Sequence, residues 1–325
     1  MGIRGLALFG ALLSLLAFPP GASFAGDDEL PVYLALGDSL AFGIGAANPA
    51  AEGYVGLTHF SLTEEDRLYA DGLELANLAE PGATSADLIE PDGQLERALS
   101  LIEERERDDI PGNEIEIISI DIGGNDLLQL AEPDSPCIVD TGSEECRDAI
   151  SDTLSGLQEN LTNILAQLRE SAPEARIYTI DLYNPYSGTG DAREVLAGVA
   201  VQQINGVINA TSANSALSTQ LVTIFELFLG RGEQWVASDL IHPNNNGHIV
   251  ISEALVAAIE GRPVEVPEEL ASVPTGPADP EEPAAASSGG DDGISGVFLY
   301  GLIAIAFIAG LAVSGTYFWA RGRAA

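Results

Sequence analysis

Four short stretches of this chain carry side chains or backbone groups suited to acyl chemistry, and each follows an apolar run. The first is Gly37-Asp38-Ser39-Leu40, directly after residues 32–36 (VYLAL). Glycine permits a tight turn there, so the Ser39 hydroxyl can stand exposed at a strand end. A hydroxyl is a weak nucleophile and needs a base within hydrogen-bond reach. The same residues also suit a plain turn and helix cap, because Asp and Ser favour both. The second stretch, Asp239-Leu240-Ile241-His242-Pro243, offers a base. An Asp three residues before a His can share its loop, bond one ring nitrogen and leave the other for a serine. A helix-start loop with a structural histidine is the alternative. The third is Gly123-Gly124-Asn125-Asp126, where the Asn125 amide supplies two N–H donors for the negative oxygen of a tetrahedral intermediate. The fourth is Pro81-Gly82-Ala83, whose Gly82 backbone N–H is unobstructed by a side chain. Both glycine stretches can equally be ordinary turns. His59 and His248 fall in helical patterns and suit surface or packing roles.

These groups need elements to bring them together. Strand-like runs fall at 32–36, 73–78, 115–120 (IEIISI), 176–182 (RIYTIDL) and within 221–227. Helical periodicity covers 86–107, 154–168, 192–210 and 246–259. Each strand is followed by a crossover long enough for a helix, which predicts a parallel sheet inside a three-layer α/β/α sandwich. Ser39, Gly82 and Asn125 follow the first three strands, and Asp239 and His242 follow the fifth. All of them therefore point to the carboxyl edge, where such sheets bind ligands.

The ordered set GDSL, a glycine in the second block, G-x-N-D and D-x-x-H resembles the SGNH-hydrolase superfamily, the GDSL-like lipases and esterases. The resemblance spans about 31–259. It implies a flavodoxin-like sheet of strand order 2-1-3-4-5, which places Gly82 and Asn125 on either side of Ser39. It makes Ser39 the nucleophile, His242 the base and Asp239 its orienter. Gly82, Asn125 and the Ser39 backbone N–H become the oxyanion-hole donors. The implied activity is that of a serine carboxylic ester hydrolase working without cofactor or metal. The superfamily's substrates include lipid esters, thioesters and acetylated carbohydrates. A non-catalytic recognition domain on a hydrolase scaffold is the rival reading, and the intact set of polar residues argues against it.

Composition closes other routes. Thirteen basic residues, all arginine, face 50 acidic ones, for a net charge of −37. No basic patch on such a chain could neutralise the phosphates of a nucleic acid. No G-x-S-x-G elbow and no G-x-G-x-x-G loop is present. Cys137 and Cys146 bracket a Pro- and acid-rich insertion. In an oxidising exterior a bridge closing that loop is expected, with two free thiols the other state.

Residues 1–25 have the layout of a secretory signal: Arg4, a short apolar run, then small residues before an acidic start. Residues 26–262 read as the catalytic domain and 263–293 as a stalk rich in Pro, Glu, Ala and Gly. Residues 294–319 hold no charge, which predicts one transmembrane helix with residues 320–325 as a cytoplasmic tail. Ala306, Gly310 and Ser314 line one face of that segment and suggest weak helix pairing. The expected location is a cell membrane, with the catalytic domain outside.

Overall fold

The computed structural model describes residues 30–107 and 110–271. The strands are β1 (Val32–Gly37), β2 (Glu74–Asn77), β3 (Ile115–Asp121), β4 (Arg176–Ile180) and β5 (Thr219–Val222). The first helices are α1 (Ser39–Phe42), α2 (Pro49–Glu52), α3 (Tyr54–Thr63), α4 (Gln94–Arg107), α5 (Gly124–Gln129) and α6 (Pro136–Val139). They are followed by α7 (Glu144–Ser171), α8 (Ala192–Ser212), α9 (Gly232–Trp235), α10 (Asn245–Glu260) and α11 (Glu268–Ala271).

All strand pairs are parallel, in the order β2-β1-β3-β4-β5. Parallel neighbours need crossovers, and here helices supply them on both faces. All six residues of β1 are buried, as a central strand covered on both sides requires. Its side chains alternate between two cores. Tyr33 and Ala35 pack with α3 and α10, while Val32, Leu34 and Leu36 pack with α4, α7 and α8. The strand order reverses direction around β1 and β3, and Ser39, Gly82 and Asn125 border the crevice at that switch point.

Three element boundaries differ from the periodicity reading. Helix α4 begins at Gln94, because Pro91 and Gly93 break the pattern after a single 3₁₀ turn at Asp87–Ile89. Helix α7 begins ten residues before 154. Ser143 caps it by accepting the Cys146 N–H, and Cys146, Ile150, Leu157 and Leu161 continue one apolar face. Strand β5 ends at Val222, because the buried Asp181 carboxylate accepts the N–H groups of Ile224 and Phe225 and turns the chain away.

The expected transmembrane helix is corrected. Among the described residues no helix is long and apolar enough to cross a membrane. Helix α7, with 28 residues, has the length, but its apolar residues occupy one stripe that faces the core. The described residues form an α/β/α sandwich, and none of their helices spans a membrane. Residues 294–319, with Ala306, Gly310 and Ser314, lie outside the described residues, as do 1–25, 320–325 and most of the expected stalk.

Candidate active site

Strand β1 delivers Ser39 through a tight constraint at Gly37. That residue has φ of +148°, and a Cβ there would stand 1.9 Å from Asp121 Oδ1, so only glycine fits. Asp38 then caps α1, its Oδ1 accepting the Leu40 N–H at 2.9 Å. The Asp38 N–H in turn donates to Asp121 Oδ1 at 3.2 Å. Ser39 is thereby placed in the first turn of a helix, where backbone N–H groups have no intrahelical partner. Its own N–H forms no hydrogen bond among the described residues.

Asp239 and His242 sit on the loop between α9 and α10. The chain folds back there through Leu240 at φ of +62°, a left-handed conformation that leucine rarely adopts. Asp239 Oδ1 accepts the N–H groups of Ile241 and His242, both at 3.0 Å. The other oxygen, Oδ2, lies 2.7 Å from His242 Nδ1, and His242 Nε2 lies 2.8 Å from Ser39 Oγ. With Nδ1–H donating to the carboxylate, Nε2 is left to accept the serine O–H. Partial burial would raise the pKa of Asp239, but the hydrogen bonds from His242 and from the backbone N–H of Ile241 outweigh it and hold the group below its ordinary value. The loop is clamped by the buried Tyr183, whose hydroxyl donates to Ile241 O. A bridge between Val236 and Pro243 closes its base.

Gly82 lies just beyond β2 at φ of +86°, and its N–H forms no hydrogen bond among the described residues. This turn is held against α5, because the buried Asp126 carboxylate accepts both the N–H and the hydroxyl of Ser85. Asn125 departs from the simple expectation of a free donor. Its Nδ2 donates to Ala83 O at 2.9 Å and to Asp38 Oδ2 at 3.2 Å. Asp38 is therefore an intimate neighbour of the site that sequence reading did not single out. Burial pushes its pKa up to about 6, against the pull of the Leu40 N–H and of nearby His242.

Ser39, Gly82, Asn125 and His242 all border one cavity of about 520 Å³, within the ~300–1,000 Å³ range of small-molecule sites. Its remaining walls are mostly apolar and include Leu128, Leu182, Ala200 and Val201. Asp239 stands behind His242, and the other two histidines stand elsewhere. His59 bonds Leu73 O from α3, and His248 is fully buried in α10. Cys137 and Cys146 form a disulfide joining α6 to the first turn of α7. It lies behind the cavity wall and does not line the mouth. Tyr183 was also unmarked in the sequence. It reaches the 239–242 loop across 58 residues, and no local pattern could have signalled that contact.

An α/β sandwich with an acid–imidazole–hydroxyl relay at the carboxyl edge of its sheet has the architecture of a hydrolase. The chain belongs to the GDSL-like lipase/acylhydrolase family, whose model matches residues 35–250. It is thus a carboxylic ester hydrolase by family. It is 25% identical over 234 residues to the spore germination lipase LipC of Bacillus licheniformis, covering 71% of this chain and 97% of that one. It is 24% identical over 246 residues to the uncharacterised protein YpmR of Bacillus subtilis, covering 72% and 84% respectively. The solved extracellular lipase of Streptomyces rimosus shares the fold, at 20% identity and a TM-score of 0.51 over 72% of this chain and 100% of that one.

Proposed function

We propose that this protein hydrolyses carboxylic esters of apolar acids through an acyl-enzyme on Ser39. The observation that carries this reading is the relay from Asp239 through His242 to Ser39, at 2.7 and 2.8 Å, opening onto an apolar cavity. His242 Nε2 takes the Ser39 proton as Oγ bonds the ester carbonyl carbon. The carbonyl oxygen becomes negative and is met by the free N–H groups of Ser39 and Gly82. Asn125 keeps one amide N–H on Ala83 and turns the other from Asp38 to the oxyanion. His242 then gives its proton to the departing alcohol. Water, deprotonated by the same ring, releases the acid and restores Ser39.

The apolar walls favour an acyl chain over an acetyl group on a sugar, since a sugar would find few hydrogen-bond partners in them. The cystine supports work outside the reducing cytoplasm. Thiol alkylation of the mature protein, with and without prior reduction, tests that point.

A fluorophosphonate probe and a model ester test the chemistry together. Stoichiometric capture on Ser39, with capture and turnover both lost in Ser39→Ala, is the expected result. A folded wild-type protein that captures no probe and hydrolyses no ester is instead a recognition domain.

A further inference from the structure

Two alanines of the cavity wall have an unusual backing. Ala131, two residues past α5, and Ala200, in α8, both line the cavity. Both are also members of a small core separate from the two that flank the sheet. The other members of that core are Leu130, Ile150 and the cystine of Cys137 and Cys146, whose two residues are fully buried. The wall at this place is therefore supported not by the sheet but by the N-terminal part of α7 where it meets α8, together with the segment before α7. That segment is tied to the start of α7 by a covalent bond over a sequence separation of 9.

Side-chain size matters most at such a wall. Alanine leaves room in the cavity, and a longer side chain has nowhere else to go, because the space behind is filled by the cystine core. An acetyl group needs only the reacting centre. A long acyl chain needs the wall, and each methylene that finds an apolar place strengthens its binding about fourfold. A displaced wall therefore penalises long chains selectively.

We propose that Ala131 and Ala200 set the acyl-chain length this hydrolase prefers, and that the Cys137–Cys146 bond holds them in register, so that preference for long over short acids depends on the bond. The proposal rests on Ser39 being the nucleophile of an ester hydrolase. It adds the residues that choose the substrate and makes that choice redox-dependent.

The experiment measures kcat/KM of the full-length protein on acetyl, butyryl, octanoyl and palmitoyl esters of one alcohol, and follows the octanoyl-to-acetyl ratio. In Ala200→Phe the ratio should fall at least about tenfold, the scale on which one or two displaced methylenes are felt. In wild-type protein reduced with dithiothreitol, the cystine becomes two thiols and the reductant closes its own disulfide. The ratio should again fall, with opening confirmed by alkylation of Cys137 and Cys146. The double variant Cys137→Ser, Cys146→Ser should match the reduced protein; if it does not fold, the reduced wild type decides. An unchanged ratio in Ala200→Phe overturns the wall assignment. An unchanged ratio with the bond shown open overturns the role of the cystine. Failure of the underlying reading looks different: the oxidised wild type would then turn over no ester at all and capture no fluorophosphonate.

Discussion

His242 and His248 stand six residues apart, both with two bonded ring nitrogens, and they serve opposite ends. His242 lies half-buried on the loop before α10, and its partners are a hydroxyl and a carboxylate, Ser39 Oγ and Asp239 Oδ2. Protons can move along that line. His248 is fully buried inside α10, and its partners are main-chain groups. Its Nδ1 accepts the Tyr54 N–H at 3.2 Å, and its Nε2 donates to Ile44 O at 3.0 Å. Amide and carbonyl partners neither take up nor release a proton in the working range, so the ring is a cross-brace between α10, the start of α3 and the segment after α1. Burial holds its pKa down to about 4, against the pull of its bond to Ile44. Partner chemistry, and not residue type, separates the base proposed at 242 from the brace at 248.

The contrast is broken most severely on the reactive side. His242→Ala and Ser39→Ala should each lower kcat by about 10⁴-fold or more, and the double variant should be little worse, because the residues act as one unit. Steady-state kinetics on a soluble ester, with circular dichroism to show retained folding, checks this. Comparable loss in His248→Ala at full folding would erase the distinction. Asn125→Ala comes next. It removes a donor to a charge that develops only in the transition state, so kcat should fall roughly 10²–10³-fold with little change in KM. A raised KM with unchanged kcat would place Asn125 in ground-state binding.

The brace side predicts stability changes without kinetic ones. His248→Ala leaves a buried N–H and a buried carbonyl unpaired, at a cost of about 1–3 kcal/mol in unfolding free energy. Turnover per folded molecule should stay within about twofold. His248→Gln can offer both an acceptor and a donor and should recover part of the loss in urea unfolding.

The finest test uses acid. A buried histidine held near 4 stays neutral in the fold while the unfolded chain protonates at its ordinary value. Its stabilisation is complete above that value and is lost as pH falls toward 4. Asp181 acts in the opposite sense. Burial raises it to about 6 despite the N–H groups of Ile224 and Phe225, so its contribution is complete in acid and is lost as pH rises through 6. Asp38, also raised to about 6, has the same sign. His248→Gln should therefore gain about 2 kcal/mol relative to wild type between about pH 7 and about pH 5. Equal pH dependence in the two proteins would show that the ring is not held neutral.

Much of this architecture is local and could be read along the chain. The strand at 32–36, the turn at Gly37 and the place of Ser39 at the strand end follow from neighbouring residues. So does the Asp239–His242 pair, because three residues of one loop keep carboxylate and ring within reach. The strand order came through the ordered motifs and not through periodicity, as did the oxyanion-hole roles proposed for Gly82 and Asn125. The start of α7 at Glu144 was missed because a Cys and an isolated Ile carry its first apolar positions.

What local pattern could not supply was the partner of a side chain where that partner lies far along the chain. The Ser39–His242 bond joins residues 203 apart, and that both lie on one sheet edge says nothing of 2.8 Å. The engagement of Asn125 by Asp38, the Tyr183 clamp on Ile241 and the cystine behind Ala131 and Ala200 all depend on how distant elements pack. Turn chemistry and hydrophobic period act over a few residues, so the sequence by itself determined which groups stand at the sheet's edge. Hydrogen-bond partners and cavity walls are set where segments far apart in the chain meet in the core. Only the tertiary structure, therefore, decided that His242 faces a hydroxyl while His248 faces backbone.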